Sequence, residues 1–393
     1  MIKTYKVMLY PNNKQQTKLF QSAGVARFIY NWTLSCQQKN YESGGKFLSD
    51  HELRKILTQL KQTDAFRWLN DYSNNIAKQA VKDACDAYKK FFKGVSSFPR
   101  FKSKKKSKPS FYVDTAKIKI TATHVKLEKL TDSQKTNRQK LNWVRLTEHD
   151  RIPVGVSYSN PRVTFDGLHW WLSVGVECAE PQELPNGEGV GIDIGVKDLA
   201  VCSDGNTYAN IHKTRKIKRL RKRQRRQQRR ISKKYLKNKK GGSYCKTCNI
   251  RKAEHQLLRL NRRLTNIRHT YLHQVTSEIV NRKPMFVVLE DLNVSGMMQN
   301  HHLAKAVQEQ GFHEFYRQME YKCRWNNIAF ITADRYYPSS KMCCICGHIK
   351  KDLKLSERTY VCPLCGNSID RDVQASVNLK RYGESIAYRK QMQ

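Results

Sequence analysis

Acidic residues are scarce in this chain. Its 393 residues include 74 Lys and Arg but only 33 Asp and Glu, which gives a formal net charge of +41 at pH 7. Such an excess is far larger than solubility requires, and it implies a polyanionic partner. Long apolar runs are also missing, because no segment approaches the ~20 residues that a membrane-spanning helix needs. We therefore expect nucleic acid as the partner and no association with a membrane.

The first six residues lack the apolar core of a secretory signal peptide. We therefore expect a cytoplasmic protein whose twelve cysteines are reduced. Reduced thiols are available as metal ligands or as small core residues. The length and the 39% of hydrophobic residues are sufficient for two or three domains with cores of their own.

Four cysteines form two C-x-x-C pairs that are fifteen residues apart. This spacing is typical of a zinc ribbon or zinc knuckle, and it predicts one structural Zn²⁺. The predicted ligands are Cys343, Cys346, Cys362 and Cys365. Another pair, Cys245-x-x-Cys248, has only His255 near it and is two ligands short of a closed site. Whether this second pair binds metal stays open.

Three acidic residues have settings that suit metal-dependent phosphodiester chemistry. Asp193 lies within the segment 191–195, Gly-Ile-Asp-Ile-Gly; Glu290 ends the apolar run 285–289; and Asp372 follows the second cysteine pair. In a strand, both glycines would share a face with Asp193 and leave room there for a metal and a phosphate. Oxygen-only ligands favour Mg²⁺, or Mn²⁺, over zinc. Taken alone, Asp193 also fits a turn residue, Glu290 a surface charge at a strand end, and Asp372 a helix-dipole partner.

The period of the apolar residues changes along the chain. A strand at residues 3–10 precedes a helical pattern at 14–93 and a basic loop at 98–106. The period becomes two at 118–178, where Asp166-Gly167 indicates a hairpin. We predict an α+β multidomain chain. Its parts are a small β-barrel at 1–12 and 117–182, a helical insert at 13–116, a third domain at 187–337 and 368–393 that carries the acids, and an inserted zinc ribbon at 338–367.

The most basic segment is the tract 213–240, with 17 Lys or Arg in 28 positions and no acid. Ile217, Leu220 and Ile231 indicate a helix, although a solvated or disordered segment is the alternative. We expect this tract to contact nucleic acid backbone without reading its sequence. The cations assigned to this role in the tract are Arg219, Arg223, Arg226 and Arg230. Those assigned to it in the basic loop are Arg100, Lys102 and Lys104.

Four motifs follow one another along the chain. They are Gly191-Ile192-Asp193-Ile194-Gly195, Leu289-Glu290-Asp291-Leu292, Pro338-Ser339-Ser340-Lys341 with the cysteine pairs, and Asp370-Arg371-Asp372. This order resembles the TnpB (OrfB) proteins of bacterial insertion sequences, which are similar to type V CRISPR effectors. The resemblance spans nearly the whole chain. It implies a RuvC-type nuclease domain with an RNase H-like fold, and a WED-like β-barrel that carries a recognition (REC-like) helical insert.

The resemblance also implies a function, namely the cutting of double-stranded target DNA under the direction of a guide RNA. Such a protein would be associated with the nucleoid in the cytoplasm of a bacterial or archaeal cell. The family's three acids correspond to Asp193, Glu290 and Asp372, which would hold two Mg²⁺ ions ~4 Å apart. Asp370 is the alternative third acid, and it also suits the N-cap of a helix.

The family recognises a short DNA motif beside the target, which requires side chains that reach base edges. Three polar residues at the start of a predicted helix lie in the corresponding part of this chain, and an ordinary polar helix face is their alternative role. These residues are Asn75, Lys78 and Gln79.

Other functions stay open at this point. They are a compact type V CRISPR effector nuclease, a guide-dependent DNA-binding repressor and a DNA transposase. A repressor would be expected to lack catalytic acids, and all three are present. A transposase would join strands without a guide. The guide RNA, the adjacent DNA motif and the choice between a monomer and a homodimer are not determined by the sequence.

Overall fold

The computed structural model describes residues 1–130, 141–181, 183–354 and 357–391. Within them the chain divides into two compact units, Met1–Ala179 and Glu180–Gln393. Helices and strands occur in both, as the predicted α+β class requires. The predicted ranges 117–182, 338–367 and 368–393 each include residues that lie outside this description.

The strands of the first unit form one seven-stranded sheet. They are β1 (Ile2–Tyr10), β2 (Ser110–Tyr112), β3 (Lys119–Ile120), β4 (His124–Lys126), β5 (Trp143–Leu146), β6 (Tyr158–Phe165) and β7 (Trp170–Glu177). Their order is β2-β6-β7-β1-β5-β4-β3, so the first strand returns to the middle of the sheet as predicted. In the described residues β2 pairs only with β6 and β3 only with β4. Among the described residues, strand pairing therefore does not close the predicted barrel, and the seven strands form an open sheet.

Strands β6 and β7 form the hairpin that Asp166-Gly167 predicts, with Phe165 opposite Trp170. Gly167 has a φ of +96°, a left-handed conformation that favours glycine. The carboxylate of Asp166 accepts a hydrogen bond from the backbone N–H of His169 at 2.8 Å. Local turn chemistry thus fixes the register of this pair.

The helices of the first unit are α1 (Asn13–Glu42), α2 (Asp50–Leu60) and α3 (Asn74–Phe92), with a 3-10 helix at Arg67–Asp71. Capping boxes start α1 and α2. Leu19 and Ile29 of α1 share one hydrophobic core with Val7 and Trp170 of the sheet. The predicted helical insert and the sheet therefore share one hydrophobic core. Strand β2 also lies inside the range 13–116, so the sheet begins earlier than the predicted residue 117.

The second unit is built on a five-stranded sheet with the order β10-β9-β8-β13-β14. The strands of this unit are β8 (Val190–Ile194), β9 (Asp198–Cys202), β10 (Thr207–Ala209), β11 (Lys239–Lys240), β12 (Ser243–Tyr244), β13 (Phe286–Glu290), β14 (Ala329–Ala333), β15 (Thr359–Val361) and β16 (Ser368–Asp370). Strand β13 runs parallel to both β8 and β14, whereas β9 is antiparallel to β8. The pairs β11-β12 and β15-β16 form separate hairpins.

Helices cover both faces of this sheet. They are α4 (Arg215–Lys237), α5 (Cys248–Asn281), α6 (Val294–Gln299), α7 (Ala304–Gln310), α8 (Phe312–Trp325) and α9 (Arg371–Gln391), with a 3-10 helix at Ile211–Lys213. Leu272 of α5 and Met319 of α8 pack with Ile192 and Leu289 on one face. Leu379 of α9 packs with Phe286 and Val288 of β13 on the other. Successive side chains of β13 therefore point alternately into two different hydrophobic cores, one on each face of the sheet.

Most of the basic tract 213–240 forms the helix α4 (Arg215–Lys237), in agreement with the helical interpretation of its apolar spacing. Ile217, Leu220 and Ile231 are buried in α4, and its contacts with α5 include a hydrogen bond from Gln224 to Asn261 at 2.6 Å. Among the described helices, none combines the length and the apolar character that crossing a bilayer requires.

Candidate functional site

Two of the predicted acids lie at matching positions on neighbouring parallel strands. Leu289 of β13 is opposite Ile192 of β8. Glu290 and Asp193, each one residue further along, therefore lie side by side at the end of this strand pair. Asp372 is in the first turn of α9, which packs against both strands. The sheet and one helix thus bring the three acids of distant sequence segments to one place.

The charges of these acids act on one another. Burial, followed by the charges of Glu290 and Asp372, raises the pKa of Asp193 to about 8. Burial also raises the pKa of Glu290, against the lowering effects of the hydrogen bond from Ser339 and the charge of Arg371. Negative charge is therefore unfavourable here without a compensating cation. An oxygen-only donor set of this kind fits a hard divalent cation such as Mg²⁺ or Mn²⁺.

The acids are spaced more widely than the ligands of a single compact metal site. Across the described ranges, the four cysteines are the one group of three or more His, Cys, Asp or Glu residues whose ligand atoms all lie within 4.8 Å of one another. The carboxylates of Asp193, Glu290 and Asp372 do not meet that criterion. In two-metal sites the ions lie ~4 Å apart, so the ligands extend over more space than around one ion.

The glycines on either side of Asp193 have different surroundings. A Cβ atom at Gly191 would lie 2.1 Å from the carbonyl oxygen of Ser376 and 2.3 Å from the backbone nitrogen of Lys380, both in α9. At Gly195 the nearest such atom is 3.4 Å away. The prediction that both glycines leave open space beside Asp193 is therefore wrong for Gly191. Its missing side chain allows the close approach of the helix that carries Asp372.

We expect Gly191→Ala to destabilise the second unit by about 1–3 kcal/mol or more, because the added methyl group would force α9 away from β8. Gly195→Ala, directly after the end of β8, is the matched control, and it should change the stability by no more than about 0.5 kcal/mol. Thermal or denaturant unfolding measures both changes. Equal effects of the two substitutions would show that α9 does not depend on the backbone at Gly191.

Asp370 acts as the N-cap of α9. Its Oδ1 accepts hydrogen bonds from the backbone N–H groups of Asp372 at 2.9 Å and of Val373 at 3.3 Å. This is the alternative role that the sequence offered for Asp370. The charge of Asp372 raises the pKa of Asp193 more than the charge of Asp370 does. Both observations favour Asp372 as the third acid of the site.

The four predicted zinc ligands come together. The sulfur atoms of Cys343 and Cys365 lie 3.6 Å apart, and those of Cys346 and Cys362 lie 3.5 Å apart. A tetrahedron of sulfurs with Zn–S distances of ~2.3 Å has edges of about 3.8 Å, which is close to this spacing. The cluster is therefore able to hold a structural zinc ion.

The two halves of this cysteine cluster have the same backbone geometry. Gly347 donates its N–H to the carbonyl oxygen of Cys343, and Gly366 donates to that of Cys362, each at 3.0 Å. Both glycines have positive φ, +74° and +71°. Each C-x-x-C-G segment is thus a tight knuckle, and the glycine permits the left-handed turn.

Cys245 and Cys248 are both exposed, at the connection between β12 and α5. Neither belongs to a cluster of metal ligands in the described part of the chain. Lys246, between the two cysteines, instead forms an ion pair with Glu254 of α5. Glu254 also accepts a hydrogen bond from the hydroxyl group of Tyr235 in α4. These contacts hold the connection against α4 and α5. The described residues around this pair therefore do not complete a second metal site.

The arginines assigned to nucleic acid in α4 form one exposed stripe. They are Arg219, Arg223, Arg226 and Arg230, with spacings of four, three and four residues. Side chains at these spacings lie above one another on a helix. Arg221, between them, is instead half-buried, pairs with Glu309 and donates a hydrogen bond to Nδ1 of His212 at 3.1 Å. The stripe is thus distinct from the arginines that hold α4 in place.

The residues proposed to reach base edges lie near one another on α3 but have different surroundings. Gln79 lines a cleft of 690 Å³ between α1, α3 and the sheet, whereas Asn75 and Lys78 do not. The Gln79 amide donates to Asp83 at 2.8 Å, and Asp83 also binds Arg162 through two hydrogen bonds of 2.8 and 2.9 Å. Gln79 is therefore engaged within the protein.

The basic loop after α3 lies partly in the same cleft. Lys102 and Lys104 line it, while Arg100 is exposed outside its lining. The ammonium nitrogen of Lys102 lies 3.5 Å from the centre of the Tyr30 ring, a cation–π contact. Asn31 holds the backbone of Lys102 through hydrogen bonds of 2.8 and 2.9 Å. The loop is thus fixed on α1 by its own side chains and backbone.

One contributor to the site has no role in the sequence interpretation. The hydroxyl group of Ser339 donates a hydrogen bond to Oε1 of Glu290, and Ser339 is 4% exposed. Its motif, Pro338-Ser339-Ser340-Lys341, is the only signal in the sequence, and it lies close to the first cysteine pair. Alone, that position does not indicate a contact with Glu290.

Comparison with known proteins gives matches along nearly the whole chain. A family model described as a helix-turn-helix domain matches residues 1–46, one described as a probable transposase, OrfB of IS605, matches 172–301, and a Cas12f1-like TNB domain matches 312–379. In the structure, residues 1–46 contain β1 and the single long helix α1.

Two curated relatives cover most of both sequences. A putative RNA-guided DNA endonuclease from Streptomyces pristinaespiralis is 29% identical over 97% of this chain and 89% of its own. The putative RNA-guided DNA endonuclease InsQ of Escherichia coli K12 is 28% identical over 98% and 93%. A solved structure of a Cas12f1–sgRNA–target DNA complex covers 97% of this chain and 98% of its own, with a TM-score of 0.59 and 14% identity. At this identity the similarity establishes a Cas12f-like fold alone.

Proposed function

Because the chain belongs to the TnpB (OrfB) family, which is related to type V CRISPR effectors, we propose that it is an RNA-guided DNA endonuclease. The observation that carries this proposal is the meeting of Asp193, Glu290 and Asp372 on β8, β13 and α9. A guide RNA and double-stranded DNA are its proposed partners. The net charge of +41 suits both of these polyanions.

The proposed chemistry is Mg²⁺-dependent hydrolysis of a phosphodiester bond at the three acids. A pair of bound ions would supply an activated water molecule and stabilisation of the leaving oxygen. The carboxylates of Asp193 and Glu290 hold their places through adjacent strands, and Asp372 holds its place through the capped start of α9. In this proposal the segments 187–337 and 368–391 form a RuvC-like domain, the cysteine cluster binds Zn²⁺, and the sheet of the first unit is WED-like.

A test of this function begins with the RNA that copurifies with the protein when it is expressed with its native flanking DNA. We expect a discrete structured RNA, and we expect the complex to cut DNA that matches its guide in the presence of Mg²⁺. The same protein without RNA should leave DNA uncut, which separates this function from that of a transposase acting on DNA alone. Strand joining without RNA, or copurification of only bulk cellular RNA with no guided cleavage, would contradict the proposal.

The exposed arginine stripe of α4 is proposed to contact the phosphate backbone of the guide RNA or of the RNA–DNA duplex. We expect replacement of all four arginines by glutamine to weaken binding to all sequences alike. The slope of log K against log salt concentration should fall by about 0.7–0.9 for each phosphate group that the variant no longer neutralises. Binding measured over a salt series gives this slope.

The control for this stripe is the replacement of the same four arginines by lysine, which keeps the charge and should keep most of the salt dependence. The target-adjacent DNA motif should not change in either variant, because contacts to phosphates carry no base information. A changed motif preference at unchanged affinity would mean that α4 reads bases.

A further inference from the structure

A short turn connects the second acid of the site with the cysteine cluster. The N–H groups of Lys341 and Met342 donate to the carbonyl oxygen of Pro338 at 3.0 and 2.9 Å, which closes this turn. Ser339, inside it, is buried and directs its hydroxyl group to Glu290. Met342, at its end, directly precedes the cluster residue Cys343.

The buried amide of Asn378 holds this turn from α9. Its Nδ2 donates to the carbonyl oxygen of Ser339 at 2.7 Å and to that of Met342 at 2.6 Å, so both of its N–H bonds are used. Asn378 is fully buried. The hydroxyl group of Tyr337 donates to the backbone carbonyl oxygen of Asn378 at 3.1 Å. Two hydrogen bonds thus join the turn to the helix, and Tyr337, directly before the turn, adds a third.

These contacts connect two of the three acids with the cysteine cluster. Helix α9 carries Asp372 near its start and Asn378 less than two turns later. Asn378 fixes the turn, and Ser339 of that turn holds the carboxylate of Glu290. The relative positions of Glu290 and Asp372 therefore depend on this one chain of hydrogen bonds as well as on the packing of α9 against the sheet.

We propose that Ser339 and Asn378 are positioning residues of the acidic site: Asn378 fixes the turn on the helix that bears Asp372, and the hydroxyl group of Ser339 orients Glu290 for metal binding. This inference deepens the proposed nuclease function and rests on it for the metal. Loss of such a supporting hydrogen bond typically lowers metal affinity by about 10- to 100-fold.

The test uses the full chain with its zinc retained and Mn²⁺ as the probe, followed by electron paramagnetic resonance. The binding that disappears in Glu290→Ala defines the site. We expect Ser339→Ala to weaken this binding by about 10- to 100-fold. Ser339→Thr keeps a hydroxyl group and should restore most of it. The Mg²⁺ concentration needed for half-maximal cleavage should rise in parallel in Ser339→Ala.

Ser340→Ala is the matched control, since Ser340 lies in the same turn and contacts Arg371 at 3.5 Å instead of Glu290. It should bind Mn²⁺ like the unmodified protein. Asn378→Asp replaces the NH2 group, which donates both hydrogen bonds, with an oxygen that only accepts. It should therefore weaken Mn²⁺ binding and lower thermal stability together. Zinc content near one per chain in Ser339→Ala shows that its effect does not arise from unfolding of the cysteine cluster.

Two outcomes separate this inference from the proposed function. If the unmodified protein cuts guided DNA and Ser339→Ala matches it in both Mn²⁺ binding and Mg²⁺ dependence, the positioning role is overturned and the nuclease function stands. If the unmodified protein binds Mn²⁺ in a Ser339-dependent way but cuts no DNA with any copurified RNA, the positioning role is supported and the nuclease function fails.

Discussion

Replacement of Asp193, Glu290 or Asp372 by alanine is expected to abolish Mg²⁺-dependent DNA cleavage while leaving guide-RNA binding nearly intact. Each acid belongs to a cluster whose charges act on one another, and the proposed metals stabilise the transition state by several kcal/mol. The loss should therefore reach about 10³-fold or more. Cleavage rates and RNA binding measured on the same preparations separate chemistry from assembly.

Asp370 provides the control for this prediction. It carries the same charge two residues before Asp372, but it caps α9. Asp370→Ala should lower the stability by about 1 kcal/mol and reduce cleavage only in part, and Asp370→Ser should retain most of the cap. An inactive Asp370→Ala beside an active Asp372→Ala would show that the third acid is Asp370.

Removal of the proposed zinc ion is expected to abolish the proposed DNA cleavage as well as unfold the cysteine cluster. Strand β16 of the cluster ends at Asp370, and α9 begins at the next residue, Arg371. The ribbon and the helix of Asp372 therefore have no linker between them. Structural zinc sites contribute roughly 10 kcal/mol or more to the folding of small metal-binding domains. We expect one zinc ion per chain, and both zinc and cleavage should be lost in Cys343→Ser.

The second C-x-x-C pair offers a matched control for the zinc prediction. Cys245→Ser and Cys248→Ser change the same residue type at exposed positions, and they should leave the zinc content at one per chain. Elemental analysis of the purified variants measures this directly. A folded, active preparation without zinc would refute the prediction. A content of two that falls to one in Cys245→Ser would assign a metal to the second pair.

Sequence patterns predicted the parts of the fold that depend on local chemistry. The β6–β7 hairpin follows from Asp166-Gly167, and the helical form of the basic tract follows from Ile217, Leu220 and Ile231. The gathering of the four cysteines follows from their spacing. In each of these cases the residues that determine the structure lie close together in the sequence or have a characteristic ligand chemistry.

Interactions between distant segments were not predictable in the same way. The surroundings of Gly191 depend on Ser376 and Lys380 of α9, and no periodicity near residue 191 reveals that helix. The hydrogen bond from Ser339 to Glu290 joins residues that are 49 positions apart. The helix position of Gln79 suggested a role in base recognition, but its amide is engaged by Asp83 of the same helix. Asp83 is in turn held by Arg162, which is 79 positions away. The roles of Asn75, Lys78 and Gln79 in reading DNA stay predictions.

The packing of α9 against Gly191 has a consequence for the synthesis of the chain on the ribosome. Gly191 is added 185 residues before Ser376, its contact partner in α9. At typical synthesis rates this interval lasts roughly 10 to 40 s. During that time the chain already displays its arginine-rich helix but has no third acid. A nascent chain is therefore able to bind RNA through α4 before Asp372 has been added, whereas cutting requires Asp372 and the packing of α9 against Gly191.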